Sequence, residues 1–328
     1  MSFSANFIYT LVKKLDGISG GGSTGWWSCR VDKIYGQCSE SIFPTDTSVK
    51  EEDLVNKVIP EQAYSTARQF KTMFYQYYQR IYTKEECLEA LKMSPLSLSF
   101  DCFEGIHKSK NGYIPLPSVG EKHTGNHTVT IYGYSKKHKN FKFMNSWGAE
   151  WGDKGHGYLP SEYFREGLIS EVWGAGLLPI QEKEKYGVPK IYDLEGTNKR
   201  IFKVYFSILP SLRKPGSAVY IFDIFSTDNI QIGCAHASLL ERGVLEIEDL
   251  FIIPDFQRAG IGTAFMELLY KMAKTNSINK IVGWISAQDL IDDREVKVIG
   301  FYNKNGYSII DDYTKFRDCF YRIEKSVA

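Results

Sequence analysis

No apolar run in this chain approaches the ~20 residues that a bilayer-spanning helix requires. The opening MSFSANFIYTLVKKLDG has a short apolar patch, but no basic leader and no small-residue cleavage site, so no export signal is read there. Charge of one sign is also missing. Forty basic residues face thirty-nine acidic ones, for a net charge of +1. That balance gives no footprint for nucleic acid or for an anionic membrane, and neither is expected as a partner. Cysteine is sparse, with six in 328 residues. That excludes a disulfide framework. With no export signal, Cys87, Cys102, Cys234 and Cys319 are expected to be buried free thiols in a cytoplasmic protein.

What is present is ordinary for a soluble globular chain: 43% hydrophobic and 24% charged residues. The length suggests two domains. Residues 61–92 read as one helix, with Phe70, Phe74 and Tyr78 four apart and Ile81 and Tyr82 continuing the face. PLSLSF, HTVTIYGY and NFKFMN read as strands. Residues 180–199 are charged, carry turn residues and lack periodicity, which predicts a linker. Beyond it the pattern changes. Strands are expected at 201–209, 218–226, 231–240 and 244–253, then a helix over TAFMELLYKMAK and a strand over KIVGWIS. A helix around DREVKVIGFYNKNG and strands near 307–311 and 317–323 complete the series. The expected fold class is α+β, with domains at 1–179 and 200–328.

The first constellation is GNHTVTIYGY followed by FKFMNSWG. A thiolate nucleophile needs an imidazole base, and the imidazole needs an orienting acceptor on its other nitrogen. His127 heads one strand and Asn145 ends the next, so an antiparallel pair brings them together. Trp147 can then shield their hydrogen bond. Gly125, His127, Asn145-Ser146-Trp147-Gly148, Trp151-Gly152 and GHGYL at 155–159 together resemble the papain family of cysteine peptidases. The resemblance covers about residues 1–178, more weakly through FIYTLVKKLDG and YGQCSESIFP. It implies a nucleophilic cysteine about 130–150 residues before the histidine, which falls at or before Met1. No CGSCW-like segment and no glutamine ahead of it are seen. The expectation is a truncated papain-like domain, silent as a peptidase as written: a shortened gene product or a pseudo-peptidase kept for binding. Loss of the nucleophile helix would expose apolar surface. Cys29 in WWSCRVD lies 98 residues from His127, too near for the family pattern. Cys29 and Cys38 are expected in a packed helix and the turn after it. His123 and His127 stand four apart, but without HExxH no metal site is expected.

The second constellation is IIPDFQRAGIGTAF. A strand runs into Pro254, then a loop containing Gly260 and Gly262, then a helix. Glycines permit close approach and unusual φ angles. Amides of residues 258–263 would then point into a concavity at the helix N-terminus, an arrangement that binds phosphate. Gln257-x-x-Gly-x-Gly after IIP, with VIGFYNKNGYSII downstream, resembles the GNAT-type N-acetyltransferases over about 200–325. The resemblance implies acetyl transfer from acetyl-CoA to an amine on a small molecule or peptide. It places Gln257, Arg258, Ala259, Gly260, Ile261, Gly262 and Thr263 on the pyrophosphate. Phe251, Ile252 and Ile253 fall beside the pantetheine arm, with amides near Phe251 polarising the thioester carbonyl. Tyr302 would protonate the departing thiolate. Glu246 is the candidate base, with Glu248 on the same face, although EIED also reads as a solvated strand edge. One departure stands out: only PSLRKPGSA separates the first two strands, where the family inserts two helices that shape the acceptor pocket. The papain-like domain is expected to supply part of that wall. The leading reading is therefore an acetyl-CoA-dependent N-acetyltransferase. The alternatives are a cysteine peptidase whose nucleophile segment is absent from this sequence, and a non-catalytic binding module.

Overall fold

The computed structural model describes residues 2–18, 21–179, 189–240, 243–291, 294–312 and 319–328. Helices α1 (Ala5–Leu15) and α2 (Gly25–Tyr35) come first. The stretch 61–92 then departs from the single helix expected. Helix α3 covers Glu61–Met73, strand β1 Phe74–Ile81 and helix α4 Lys84–Ala90. The reason lies in the run YQYYQRI. Aromatic and β-branched residues suit a pleated, half-buried surface. Strand β6 (Ile169–Pro179) offers an antiparallel partner from Phe74↔Pro179 to Ile81↔Val172. Thr83 restarts the helix: its hydroxyl accepts from Glu86 N, and the Glu86 carboxylate accepts from the Thr83 amide.

Strands β2 (Leu96–Phe103), β3 (His123–Ser135), β4 (Asn140–Met144) and β5 (His156–Pro160) complete the first sheet, followed by the short helix α5 (Glu162–Arg165). Its strand order is β1-β6-β2-β3-β4-β5. Leu98, Phe100, Ile131, Phe141 and Phe143 fill its core.

The second sheet takes in β7 (Lys190–Glu195), β8 (Ile201–Pro210), β9 (Ala218–Phe225), β10 (Gln231–Leu240) and β11 (Val244–Ile252). It continues with β12 (Lys280–Ser286), β13 (Ser308–Asp311) and β14 (Cys319–Ser326), in the order β13-β14-β12-β11-β10-β9-β8-β7. Strand β7 lies inside the stretch expected as linker and pairs with β8, because Leu194 buries itself in the second core. Residues 180–188 of that stretch lie outside the described residues. Helix α6 (Ile261–Thr275) crosses from β11 to β12, and helix α7 (Arg294–Lys304) follows β12. On one face of the sheet, Leu245 and Ile247 share a core with Ile261, Phe265 and Leu269 of α6.

The opposite face packs on the first half of the chain. Cys234 and Phe251 belong to a third core with Trp27 and Val31 of α2, Phe7 and Leu11 of α1, and Tyr78 and Trp173. Only residues 211–217 join β8 to β9, so the hairpin carries no helices of its own over this face. Helix α2 lies there instead.

Candidate active sites

Pairing of β3 with β4 places His127 and Asn145 together, as the spacing predicts. His127 Nε2 and Asn145 Oδ1 are 2.8 Å apart. The amide oxygen accepts from Nε2–H, which fixes the tautomer and leaves Nδ1 as the basic nitrogen. Trp147 stacks on the imidazole at 4.5 Å between ring centroids, and Phe100 meets it edge-on at 6.1 Å. Among the described residues, no thiol appears in the contacts of His127. Cys29 is half-buried in α2, and Cys38 is buried just after that helix. Burial raises the Cys29 pKa, and Asp32, Glu171 and Asp249 add to it, so the thiol stays protonated. Cys87, Cys102, Cys234 and Cys319 are buried and unbridged. His123 stands 3.9 Å from Asp101.

In the second half, β11 and β12 run parallel and paired only from Val244↔Lys280 to Ile247↔Gly283. Beyond that point β11 stays with β10 while β12 stays with β14, and the two strands part. A register shift opposite His236/Ala237 bends β11 where the gap opens. Ile253 N bonds to Ile232 O at 2.9 Å. By the alternation of an antiparallel ladder, Phe251 also turns its amide towards β10, so Leu250 and Ile252 present theirs to the gap. Gln257 donates from its side chain to Ile252 O at 2.9 Å, fastening the loop to the strand end.

The loop then turns through two left-handed residues, Arg258 (φ 61) and Gly260 (φ 79), and Gly260 caps α6. Among the described residues, the amides of Arg258 through Thr263 have no acceptor, and Gln257 and Arg258 are exposed. These donors stand at the positive end of a 15-residue helix. The two glycines also serve packing. A Cβ at Gly260 would lie 2.8 Å from Thr197 N, and one at Gly262 would lie 3.0 Å from the Phe301 ring.

The acids of EIED are not a solvated edge. Strand β11 is central, and Glu246 and Asp249 are 1% and 5% exposed. Arg213, from the short β8–β9 connection, lies 3.4 Å from Glu246 and also bonds Glu248. Glu248 accepts as well from Ser238 and from Gln79 of β1, 3.2 Å away. Burial raises its pKa above the usual carboxylate value, against the pull of Arg213. Asp249 accepts from Arg30 of α2 and from Tyr78 of β1, the latter at 2.6 Å. Burial alone would raise Asp249; the Arg30 guanidinium outweighs it and holds the carboxyl below its usual value. Lys33 of α2 pairs with Asp223 of β9 at 2.8 Å. His236, buried against the Tyr78 ring at 4.1 Å, has its pKa pulled down to about 4 by burial and by Lys33.

Tyr302 sits on α7 within electrostatic reach of Asp289, Asp249 and Arg30. Burial, with Asp289 beside it, raises its pKa and keeps the phenol protonated. The sequence reading missed Arg30, Lys33, Tyr78 and Gln79. Arg30 and Lys33 interrupt the apolar face formed by Trp27, Val31 and Ile34 on α2, and that interruption was the available signal.

Residues 68–166 match the papain family cysteine protease model. Residues 188–307 match the acetyltransferase (GNAT) family model. The chain thus joins a papain-like region to a GNAT-type acetyltransferase region. An uncharacterized peptidase C1-like protein of Acanthamoeba polyphaga mimivirus is 29% identical over 125 residues, covering 35% of this chain and 40% of that protein. The match therefore spans about two fifths of that relative's length. Xylellain, a cysteine protease from Xylella fastidiosa, is 25% identical with a TM-score of 0.47, covering 53% of this chain and 69% of that one. A GNAT-family acetyltransferase from Staphylococcus aureus is 14% identical with a TM-score of 0.30, covering 34% of this chain and 70% of that one.

Proposed function

We propose that the protein is an acyl-CoA-dependent N-acyltransferase, with acetyl-CoA as donor and an amine as acceptor. The chemistry is carried by residues 200–328, extended by β7, and α2 packs on the face of that sheet away from α6. The observation that carries this reading is the row of unpartnered amides at 258–263, beside the gap between β11 and β12. A diphosphate is the ligand such a row suits, by hydrogen bonds and by the helix dipole.

Gln257 and residues 258–263 would hold the pyrophosphate, and the edge of β11 at Leu250–Ile253 the pantetheine arm. The co-substrate supplies an activated acyl thioester. The amine gives up a proton to a carboxylate, directly or through water, with Glu246 and Glu248 nearest the gap. Its lone pair forms the C–N bond as the C–S bond breaks, and the thiolate takes the proton of Tyr302. The products are an amide and free CoA thiol.

The bond between His127 and Asn145 keeps the base of a cysteine peptidase in order, which favours a second reading. Among the described residues no thiol appears in the contacts of that imidazole, so the peptidase reading stands second.

The test is thiol release from acetyl-CoA across a panel of amines. Tyr302→Phe is expected to lower kcat about 10²-fold, with the Kd for acetyl-CoA within twofold of wild type. Absence of acetyl-CoA binding by calorimetry, with no thiol released by any amine, overturns the reading.

A further inference from the structure

Where β11 and β12 part, a cleft lies between the two halves of the chain. Trp26, Arg80, Tyr82 and Trp173 line it from the papain-like half, and Glu246, Glu248 and Trp284 from the transferase half. It encloses about 30 Å³, room for a water or two, or for one ammonium end with little branching beside it. Both carboxylates also pair with Arg213, which is not itself part of the lining. The aromatic walls are attractive to cations, as the protein itself demonstrates. Arg30 lies 3.6 Å over the Trp26 ring, Arg213 5.1 Å over Tyr82, and Arg80 5.7 and 5.8 Å over Tyr82 and Trp173. Trp26 is 92% buried, and among the described residues its indole Nε1 has no acceptor. A water in the cleft would accept from it; an ammonium group, itself only a donor, would not. The short β8–β9 connection puts no helices of the transferase region over this mouth.

We infer that the papain-like half builds the acceptor site: Trp26, Tyr82 and Trp173 select the ammonium end of an unbranched aliphatic primary amine and present it to Glu246 and Glu248 at the gap. This rests on the transferase reading above. The narrow volume disfavours arylamines and amines branched at the α-carbon. The paired carboxylates and ring faces disfavour a neutral isostere such as the corresponding alcohol. Of the three aromatic residues, Tyr82 falls within residues 68–166, which match the papain family cysteine protease model, and Trp26 and Trp173 flank that match.

The experiment uses the full chain, acetyl-CoA and three probes: n-butylamine, n-butanol and aniline. Acetylation of n-butylamine is expected, with n-butanol neither acetylated nor inhibitory and aniline at least tenfold poorer in kcat/KM. Trp173→Leu is expected to raise the KM for n-butylamine about tenfold, leaving kcat within threefold and the Kd for acetyl-CoA within twofold. Trp173→Phe, which keeps a ring face and guards against simple misfolding, is expected to restore KM to within threefold of wild type. If both variants bind acetyl-CoA and leave the amine KM within twofold, the papain-like half is not the acceptor wall and this inference alone falls. Preference for aniline overturns the substrate class. A wild-type chain that binds no acetyl-CoA overturns the transferase reading and this inference with it.

Discussion

Arg30 holds Asp249 through two hydrogen bonds, Nε at 3.0 Å and Nη2 at 2.5 Å, and its Nη1 stands 3.9 Å from Asp289. One side chain of α2 therefore links strand β11 to the turn beyond β12, across the mouth of the gap. The arginine and Asp249 side chains are only 4% and 2% exposed. A pair so deeply desolvated gains its value from being complete. Each charge is tolerable only with the other beside it.

Arg30→Ala should therefore cost about 3–5 kcal/mol, the usual penalty for stranding one member of a buried pair. Urea unfolding followed by tryptophan fluorescence measures it. The double variant Arg30→Met, Asp249→Leu should cost less than the single one, because no charge is left alone. A single variant within 1 kcal/mol of wild type would show that the pair does not join the halves.

Gly260 and Gly262 differ in how much they resist a side chain. Gly260 has φ 79, and a Cβ there would meet the backbone nitrogen of Thr197 at 2.8 Å. Gly262 would meet only the ring of Phe301, at 3.0 Å, and a ring can shift. Gly260→Ala should weaken acetyl-CoA binding at least about tenfold and cost about 1–2 kcal/mol of stability through left-handed strain. Gly262→Ala should do less of both. Calorimetry with acetyl-CoA, paired with thermal melts, reads out the order.

His236 makes the fold acid-sensitive. Its pKa is about 4 when folded, against about 6.5 in an unfolded chain. Between those values the unfolded chain takes up a proton that the native protein refuses, so stability falls as pH drops from about 6.5 to 4. The full effect is about 3 kcal/mol. Asp289, raised to about 6 by burial, contributes with the opposite sign, since protonation relieves its cost. It is common to wild type and His236→Gln, so the difference between their unfolding free energies at pH 7.5 and 4.5 isolates the histidine.

The thiols should behave as ordinary buried cysteines. Native-state alkylation by iodoacetamide is expected to be slow at pH 7, to rise beyond pH 9, and to be unchanged in His127→Ala. Labelling that is fast at pH 5 and lost in that variant would reveal a poised thiolate–imidazole pair.

Much of this could be read from the chain itself. The pairing of His127 with Asn145 followed from strand spacing, and the loop at 257–263 from two glycines between a strand and a helix. The helix expected over 61–92 failed because a four-residue aromatic period also fits a strand once a partner exists, and β6, ninety residues on, is that partner. Strand β7 was hidden by its charged neighbours. The acids at 246–249 were ambiguous for a deeper reason. An alternating acidic strand looks solvated until Arg30, Tyr78, Gln79 and Arg213 arrive from distant segments. The sequence hints at that convergence only through the two cations set in the apolar face of α2.

Residues 211–217 join β8 to β9 without a helix, and α2 covers that face of the second sheet. Stripped of the first half, that sheet would show water an oily surface dotted with buried acids that had lost their counterions. Asp249 and Asp223 in particular would lose Arg30 and Lys33 of α2. Residues of both halves share one core there, so substitutions on its two sides are expected to couple rather than add.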